Sequence, residues 1–206
     1  PLMVIRSALP ALRHGAATPE ERAEALADVD AESRRIDRIV GDVLDFAREV
    51  RVEPLDCDLA LVVREACEAA LERHGAPWEA ALDPRAGLAH TDPERVRQVL
   101  LALLDNAREA SAGAGAPPPA VEVRLFREGS RLSIEVADRG PGLEAEALAQ
   151  VFEPYFTTKR RGTGLGLAIA RNVTEALGGT LTARSRPGGG AVFRLELPAA
   201  LPAGGH

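Results

Sequence analysis

The sequence predicts an α+β protein in two parts: a helical hairpin over the first fifty residues, pairing with a second copy as a dimeric four-helix bundle, then a two-layer α/β sandwich. Three observations carry this reading. Apolar residues recur at heptad spacing as far as Val50. The seam stops at Arg51-Val52-Glu53-Pro54-Leu55, where a proline forbids a continuing helix. Beyond it, helical stripes alternate with period-two segments bounded by Gly and Pro. Domains are therefore expected at 1–52 and 53–200, with a loose Pro/Gly tail at 201–206.

In the first part, Leu2, Ile5, Leu9 and Leu12 line one helical face, and Pro10 predicts a kink or an early end. A turn at His14-Gly15-Ala16-Ala17 follows. Thr18-Pro19-Glu20-Glu21 restarts the chain with an N-cap, a proline at the first helical position and a glutamate three residues after the cap. Val29, Ser33, Ile36, Val40, Val43, Ala47 and Val50 then form a heptad seam. Two helices alone bury little, so the simplest completion is a homodimer through residues 1–50.

In the second part, Asp58 caps a helix running to about Arg73, and Trp78 to Leu82 and Gly87 to His90 read as short strands. Thr91-Asp92-Pro93-Glu94 starts a helix with Val96, Val99, Leu100, Leu103 and Ala107 on one face. A flexible stretch is expected over 112–119. Ala120 to Glu128 and Arg131 to Asp138 alternate around Gly129-Ser130 as a hairpin. Helices near Glu144 to Phe152 and Gly164 to Leu177, and a closing hairpin of Thr180 to Ser185 and Ala191 to Leu197, complete the sandwich.

Composition narrows the function. The chain has 206 residues, 46% hydrophobic and 27% charged, with a net charge of −6. That suits a globular protein, and without a basic helix face it excludes nucleic acid as a primary partner. The longest apolar runs are too short to cross a bilayer, so no direct membrane contact is expected in this segment. Cys57 and Cys67 fit neither a disulfide framework nor a metal-ligand pattern, and no signal peptide is visible. A cytoplasmic setting is the expectation, with any membrane anchor of a parent protein lying upstream. Lys159 is the single lysine beside 24 arginines, which coding bias alone explains except for its position.

Four clusters could carry chemistry. Asn106 is a polar residue in an otherwise apolar helix, sharing a stripe with Ala102, Glu109 and Ala110; its carboxamide oxygen suits a hard cation, or it is a satisfied core amide. Asp138-Arg139-Gly140-Pro141-Gly142 follows a strand, placing a carboxylate where it can accept from an exocyclic amine, with glycines that let backbone pass a flat ring. Phe152-Glu153-Pro154-Tyr155-Phe156-Thr157-Thr158-Lys159 concentrates three aromatics in five residues, as in a loop pinned to a core. Gly162-Thr163-Gly164-Leu165-Gly166-Leu167 opens a helix, presenting N–H donors to an anion, with Lys159, Arg160 and Arg161 just before it. Each is weak alone. Neither a Rossmann nor a P-loop arrangement is present.

Their order and spacing resemble the ATP-binding domain of bacterial sensor histidine kinases, within the wider gyrase, Hsp90 and MutL group. The resemblance covers Leu55 to Pro198, the hairpin of residues 1–50 looks like the dimerisation and histidine-phosphotransfer domain, and Thr157-Thr158-Lys159 with a short lid looks most like the nitrogen-regulator branch. It implies ATP and Mg²⁺ as cofactors and a response-regulator receiver domain as partner, with phosphate passing from ATP to a histidine and then to an aspartate. Asn106 would hold Mg²⁺, Asp138 would bind the adenine amine, and Gly140 and Gly142 would shape the adenine pocket. Lys159 would approach the phosphates from the lid, whose folding Gly162, Gly164 and Gly166 permit. Glu109, Phe156, Thr157, Thr158, Thr163, Leu165 and Leu167 complete the ATP-binding set implied by the boxes.

Three departures stand out. Ala102 replaces a second asparagine found in many members, and Glu109 and Ala110 stand where a lysine and an aromatic are common. The chain opens on Pro1-Leu2, which looks like the last two residues of the H-E-x-x-x-P-L motif, so the phosphoacceptor histidine is expected upstream of Pro1 and no catalytic residue is assigned here. His14, His74, His90 and His206 do not replace it, and this chain is expected to bind ATP without phosphorylating itself. The competing readings are a non-catalytic response-regulator docking protein with a vestigial nucleotide domain, which the intact glycine boxes argue against, and a stand-alone anti-sigma-type kinase, which has no need of the hairpin.

Overall fold

The computed structural model describes residues 2–13, 18–74, 78–115, 121–159 and 162–199. The expected turn at 14–17, the second half of the flexible 112–119 stretch, Arg160, Arg161 and the 201–206 tail lie outside them. The chain divides into two compact units, Pro1–Arg48 and Glu49–His206.

The first unit is a pair of helices, α1 (Leu2–Arg13) and α2 (Pro19–Ala47), packed on each other with Ala8 and Ala25 buried. Thr18 caps α2 as a full capping box: its hydroxyl accepts from Glu21 N at 3.2 Å, and the Glu21 carboxylate accepts from Thr18 N at 2.8 Å. Two expectations need correction. Helix α1 does not end early at Pro10 but continues to Arg13, because one missing backbone donor does not outweigh a face packed against α2. The seam ends at Ala47 rather than Val50: Arg48 turns the backbone extended, and Val50 instead packs against the core of the second unit.

The second unit is a two-layer α/β sandwich. Its elements are β1 (Leu55–Asp58), α3 (Leu59–His74), β2 (Trp78–Leu82), a 3₁₀ turn (Pro84–Ala86), β3 (Leu88–Thr91), α4 (Pro93–Gly113), β4 (Val121–Glu128), β5 (Arg131–Asp138), α5 (Ala145–Gln150), α6 (Gly166–Ala176), β6 (Thr180–Ser185) and β7 (Ala191–Pro198). The main sheet has the order β2-β4-β5-β7-β6, with β2 parallel to β4 and the rest antiparallel. The parallel β2/β4 step requires a crossover, and α4 supplies it. A separate two-stranded ribbon pairs β1 with β3. The short β1 was not expected, since four residues after a proline carry no readable alternation.

Alternation fixes the sheet's two faces. Val121, Val123 and Leu125, Leu132, Ile134 and Val136, and Phe193, Leu195 and Leu197 are buried in the core with the apolar faces of α3, α4 and α6. The opposite face carries charge pairs such as Arg194 with Glu196 at 3.0 Å and Arg184 with Glu135 at 3.6 Å. Helix α4 begins as its sequence dictates: Asp92 accepts from Arg95 N at 3.0 Å and Pro93 takes the first turn. Its buried face runs through Val96, Val99, Leu100, Leu103 and Ala107 to Ser111. That fixes its rotation and sets Asn106 and Glu109 off the core face.

Candidate functional site

Asp138 closes β5, where the register pairs it with Val121 and places Ala137 opposite Val192 of β7. The side chain is almost wholly buried, with 2% exposure. Its Oδ1 accepts from Gly140 N at 2.8 Å and from Ala191 N at 3.1 Å. Oδ2 has no hydrogen-bond partner among the described residues. Burial pushes this carboxyl above its ordinary value, and the two backbone donors with the Arg186 and Lys159 charges only partly offset that. The site thus holds one carboxylate oxygen fixed by backbone and leaves its twin to accept from a ligand.

The Asp138–Gly142 loop is clamped onto the end of α4. The Ser111 hydroxyl accepts from Arg139 N at 3.1 Å, and a Cβ on Gly140 would stand 2.9 Å from Ala110 Cβ and 3.0 Å from the Ala110 backbone. Only glycine permits that approach. The small Ala110 is therefore the surface on which this loop rests. Outside the loop, Glu122 Oε1 binds the guanidinium of Arg139 at 3.1 Å and of Arg186 at 3.3 Å, and Arg186 also reaches the Asp138 carbonyl at 3.4 Å. Burial pushes the Glu122 carboxyl up, but the two guanidiniums outweigh it and hold the group below its ordinary value.

Asn106 and Glu109 face one ammonium. Lys159 Nζ donates to Asn106 Oδ1 at 2.8 Å and to Glu109 Oε2 at 2.7 Å. Its neighbourhood is a small turn in which Thr157 Oγ1 accepts from Lys159 N at 3.1 Å and Gly162 N donates to Lys159 O at 3.3 Å. A cation already sits between two hard oxygens one helical turn apart, a donor set that suits Mg²⁺. Among the described residues no group of three or more His, Cys, Asp or Glu could hold a metal, so Asn106 and Glu109 are not part of a preformed carboxylate cage.

The aromatic and glycine boxes are stitched by backbone. Tyr155 N donates to Gly164 O at 2.9 Å, Tyr155 lies in the left-handed region at φ 67, and a Cβ on Gly164 (φ 71) would collide with the Tyr155 backbone at 2.5 Å. Phe152 packs edge-on against Phe193, centroids 6.2 Å apart, while the Tyr155 side chain is exposed and Phe156 half-buried. The aromatics thus divide: one pins the loop to the core, and Tyr155 serves through its main chain. Gly162 lies against the Thr157 hydroxyl, Thr158 is exposed, and Thr163 Oγ1 accepts from Leu165 N at 3.3 Å. Leu165 is buried as the N-cap of α6 without a side-chain cap bond, Leu167 packs on the core, and a Cβ on Gly166 would meet open space. Gly142 (φ 84) backs onto Gly190 O, from which a Cβ would stand 3.2 Å.

The site thus combines a buried carboxylate with one open oxygen, a pair of oxygens facing one cation and a glycine turn ahead of an uncapped helix. The family described as histidine kinase-, DNA gyrase B- and HSP90-like ATPase matches residues 91–201, and the chain belongs to it. The His Kinase A (phospho-acceptor) domain matches residues 1–50, so the two units are the kinase core of a two-component sensor histidine kinase. Relatives include the sensor histidine kinase ZraS of Klebsiella oxytoca, 38% identical over 171 residues covering 81% of this chain and 36% of that protein. The C4-dicarboxylate transport sensor protein DctS of Rhodobacter capsulatus is 33% identical over 178 residues, 85% of this chain and 27% of DctS. The chain therefore spans about a third of such relatives. Full-length ShkA, crystallised with AMPPNP, is 29% identical with a TM-score of 0.67, covering 98% of this chain and 43% of ShkA. Among the described residues no helix is long and apolar enough to cross a membrane.

Ser111, Glu122, Arg186 and Gly190 were not singled out from sequence. Ser111 had a signal, since it lies four residues after Ala107 on the same apolar stripe and a buried hydroxyl there needs a partner. The others act across the sheet, and their spacing along the chain says nothing of it.

Proposed function

We propose that the second unit binds Mg²⁺-ATP, with Asp138 Oδ2 accepting from the adenine amine, and that the longer protein passes the γ-phosphoryl group to a histidine of the His Kinase A domain and then to an aspartate of a response-regulator receiver domain. The observation that carries this is the buried Asp138, one oxygen of which is satisfied by Gly140 and Ala191 while the other is left for a ligand. The AMPPNP bound to ShkA supports a triphosphate as that ligand.

Each residue has a task in the reaction. Gly140 and Gly142 let the loop lie flat beside the purine, and the uncapped first turn of α6 with Thr163, Gly164 and Gly166 offers N–H groups to phosphate oxygens. Asn106, with Glu109 beside it, would hold Mg²⁺, whose chemistry is to neutralise charge on the triphosphate. Lys159 supplies a compact positive charge at the same place, and Phe156, Thr157 and Thr158 shape the turn that presents it. Transfer is then an in-line displacement: an imidazole nitrogen forms the P–N bond as the bond to the β-phosphate oxygen breaks and ADP leaves. The nucleotide unit supplies positioning and charge rather than a base. The hairpin forms a homodimer and presents a surface to the receiver domain.

Calorimetric titration of the chain with ATP and Mg²⁺ tests the reading. Saturable one-site binding in the micromolar to millimolar range is expected, lost in Asp138→Asn more than in Asn106→Asp; a chain that binds neither ATP nor ADP is a docking protein instead.

A further inference from the structure

Asn106 and Glu109 stand one turn apart on α4, and their side-chain oxygens converge on one cation, the ammonium of Lys159, at 2.8 and 2.7 Å. That ammonium belongs to the only lysine of the chain, the residue expected to meet phosphate from the lid. It therefore stands on the oxygen expected to meet metal. We propose that Lys159 and a hard divalent cation are alternative occupants of a single two-oxygen seat, with Glu109 as the second oxygen ligand of the metal, so that seating the metal and freeing the lid lysine for phosphate are one exchange. The proposal rests on the reading of this unit as a Mg²⁺-nucleotide site.

The exchange keeps a cation on the two oxygens. An ammonium leaves Asn106 and Glu109 as a dication arrives, and the triphosphate that brings the dication offers the departing ammonium a new anionic partner. Lysine suits this more than arginine, because it is a point charge with rotatable donors on a flexible stem and is not held by bidentate geometry. Glu109 makes the seat hold well enough to matter: an amide oxygen alone binds an ammonium weakly, whereas a carboxylate adds a charge-assisted bond. Neither side chain is fully buried, Lys159 being 35% and Glu109 45% exposed, so the latch is a weak one that opens readily. A ligand competing with a latch of that strength sees its apparent affinity lowered about two- to fivefold.

Mn²⁺ binding to the nucleotide-free protein, read by electron paramagnetic resonance of the free ion, tests the exchange without any turnover. Lys159→Met is expected to bind Mn²⁺ about two- to fivefold more tightly than wild type, and Glu109→Gln more weakly than wild type. Arg171→Met, which removes a cation paired with Glu153 and Glu175 on another helix, is expected to change nothing and controls for net charge. Unchanged or weaker Mn²⁺ binding in Lys159→Met, no detectable binding at millimolar metal, or an unaltered affinity in Glu109→Gln overturns the proposal. Circular dichroism of each variant confirms the fold. Binding of a fluorescent ATP analogue in the presence of Mg²⁺ keeps the two ideas apart: its absence in wild type defeats the nucleotide reading, and its presence beside a failed Mn²⁺ result defeats only the exchange.

Discussion

Asp138 shows how one side chain carries two opposed pH dependences. Its carboxyl is pushed above the ordinary value of 3.8, first by burial, with the Gly140 and Ala191 donors and nearby charges pulling the other way. In the unfolded chain the same group loses its proton at lower pH. Stability contributed by Asp138 is therefore fully present below pH 3.8 and lost as pH rises through the folded pKa, because the native state must then hold a buried charge. The nucleotide recognition proposed for it runs the other way, since the ionised Oδ2 is the better acceptor for an amine. Across that acidic interval, urea midpoints of wild type relative to Asp138→Asn are expected to fall with rising pH while ATP affinity of wild type rises; a parallel pair of stability curves would show that the carboxyl is not perturbed by burial. At neutral pH the substitution is expected to weaken ATP binding by roughly ten- to a hundredfold, the scale of one hydrogen bond to a charged group.

Helix α4 and the β6–β7 turn show what an element adds to its residues. One helix carries Asn106 and Glu109 on one stripe, Ala110 under the Gly140 loop and Ser111 on the Arg139 amide, so its rotation sets the Asn106–Glu109 pair and the Asp138 loop together. Much of this was legible because it is local chemistry: the Asp92 cap, the Pro93 start, the apolar stripe and the Gly129-Ser130 hairpin all state their conformation within a few residues. Gly190 was not legible. It lies in a glycine run that reads as a bare turn, yet its Cβ position falls 2.1 Å from Asp138 O, a contact between residues far apart in the chain. Glu122 was hidden for the same reason, since its two arginine partners are brought to it by sheet register. The turn supplies a direct comparison. Gly190→Ala combines a left-handed backbone at φ 90 with that collision and is expected to cost more than ~2 kcal/mol and to displace the Asp138 acceptor. Gly188→Ala at φ 86 meets nothing within 4 Å and is expected to cost only the ~1 kcal/mol of backbone strain, with ATP affinity retained. Thermal unfolding with and without ATP distinguishes the two; equal losses would mean that the contact with Asp138 is relieved by a backbone shift.

For the molecule as a whole, the exposed apolar residues of α2 bear on how the chain assembles. Helix α2 has 29 residues, about 44 Å. Ala25 is buried near its start, whereas Val40, Val43 and Leu44 further along are 52%, 40% and 60% exposed. These are apolar residues on a helix with heptad order, and a soluble helix does not leave such a stripe in water without cause. The seam read from sequence and these exposed residues support the same proposed partner, a second α2. Introducing Val40→Glu with Leu44→Glu places four carboxylates at the centre of the paired helices and is expected to convert the dimer to monomer in sedimentation equilibrium at micromolar concentration. Leu88→Glu, at a still more exposed apolar position on β3 of the second unit, is expected to leave the mass unchanged. ATP binding of the hairpin variant is expected to match wild type, because every residue of the nucleotide site lies in the second unit. A dimer that survives both hairpin charges would move the interface away from α2 and leave its exposed stripe for a different partner.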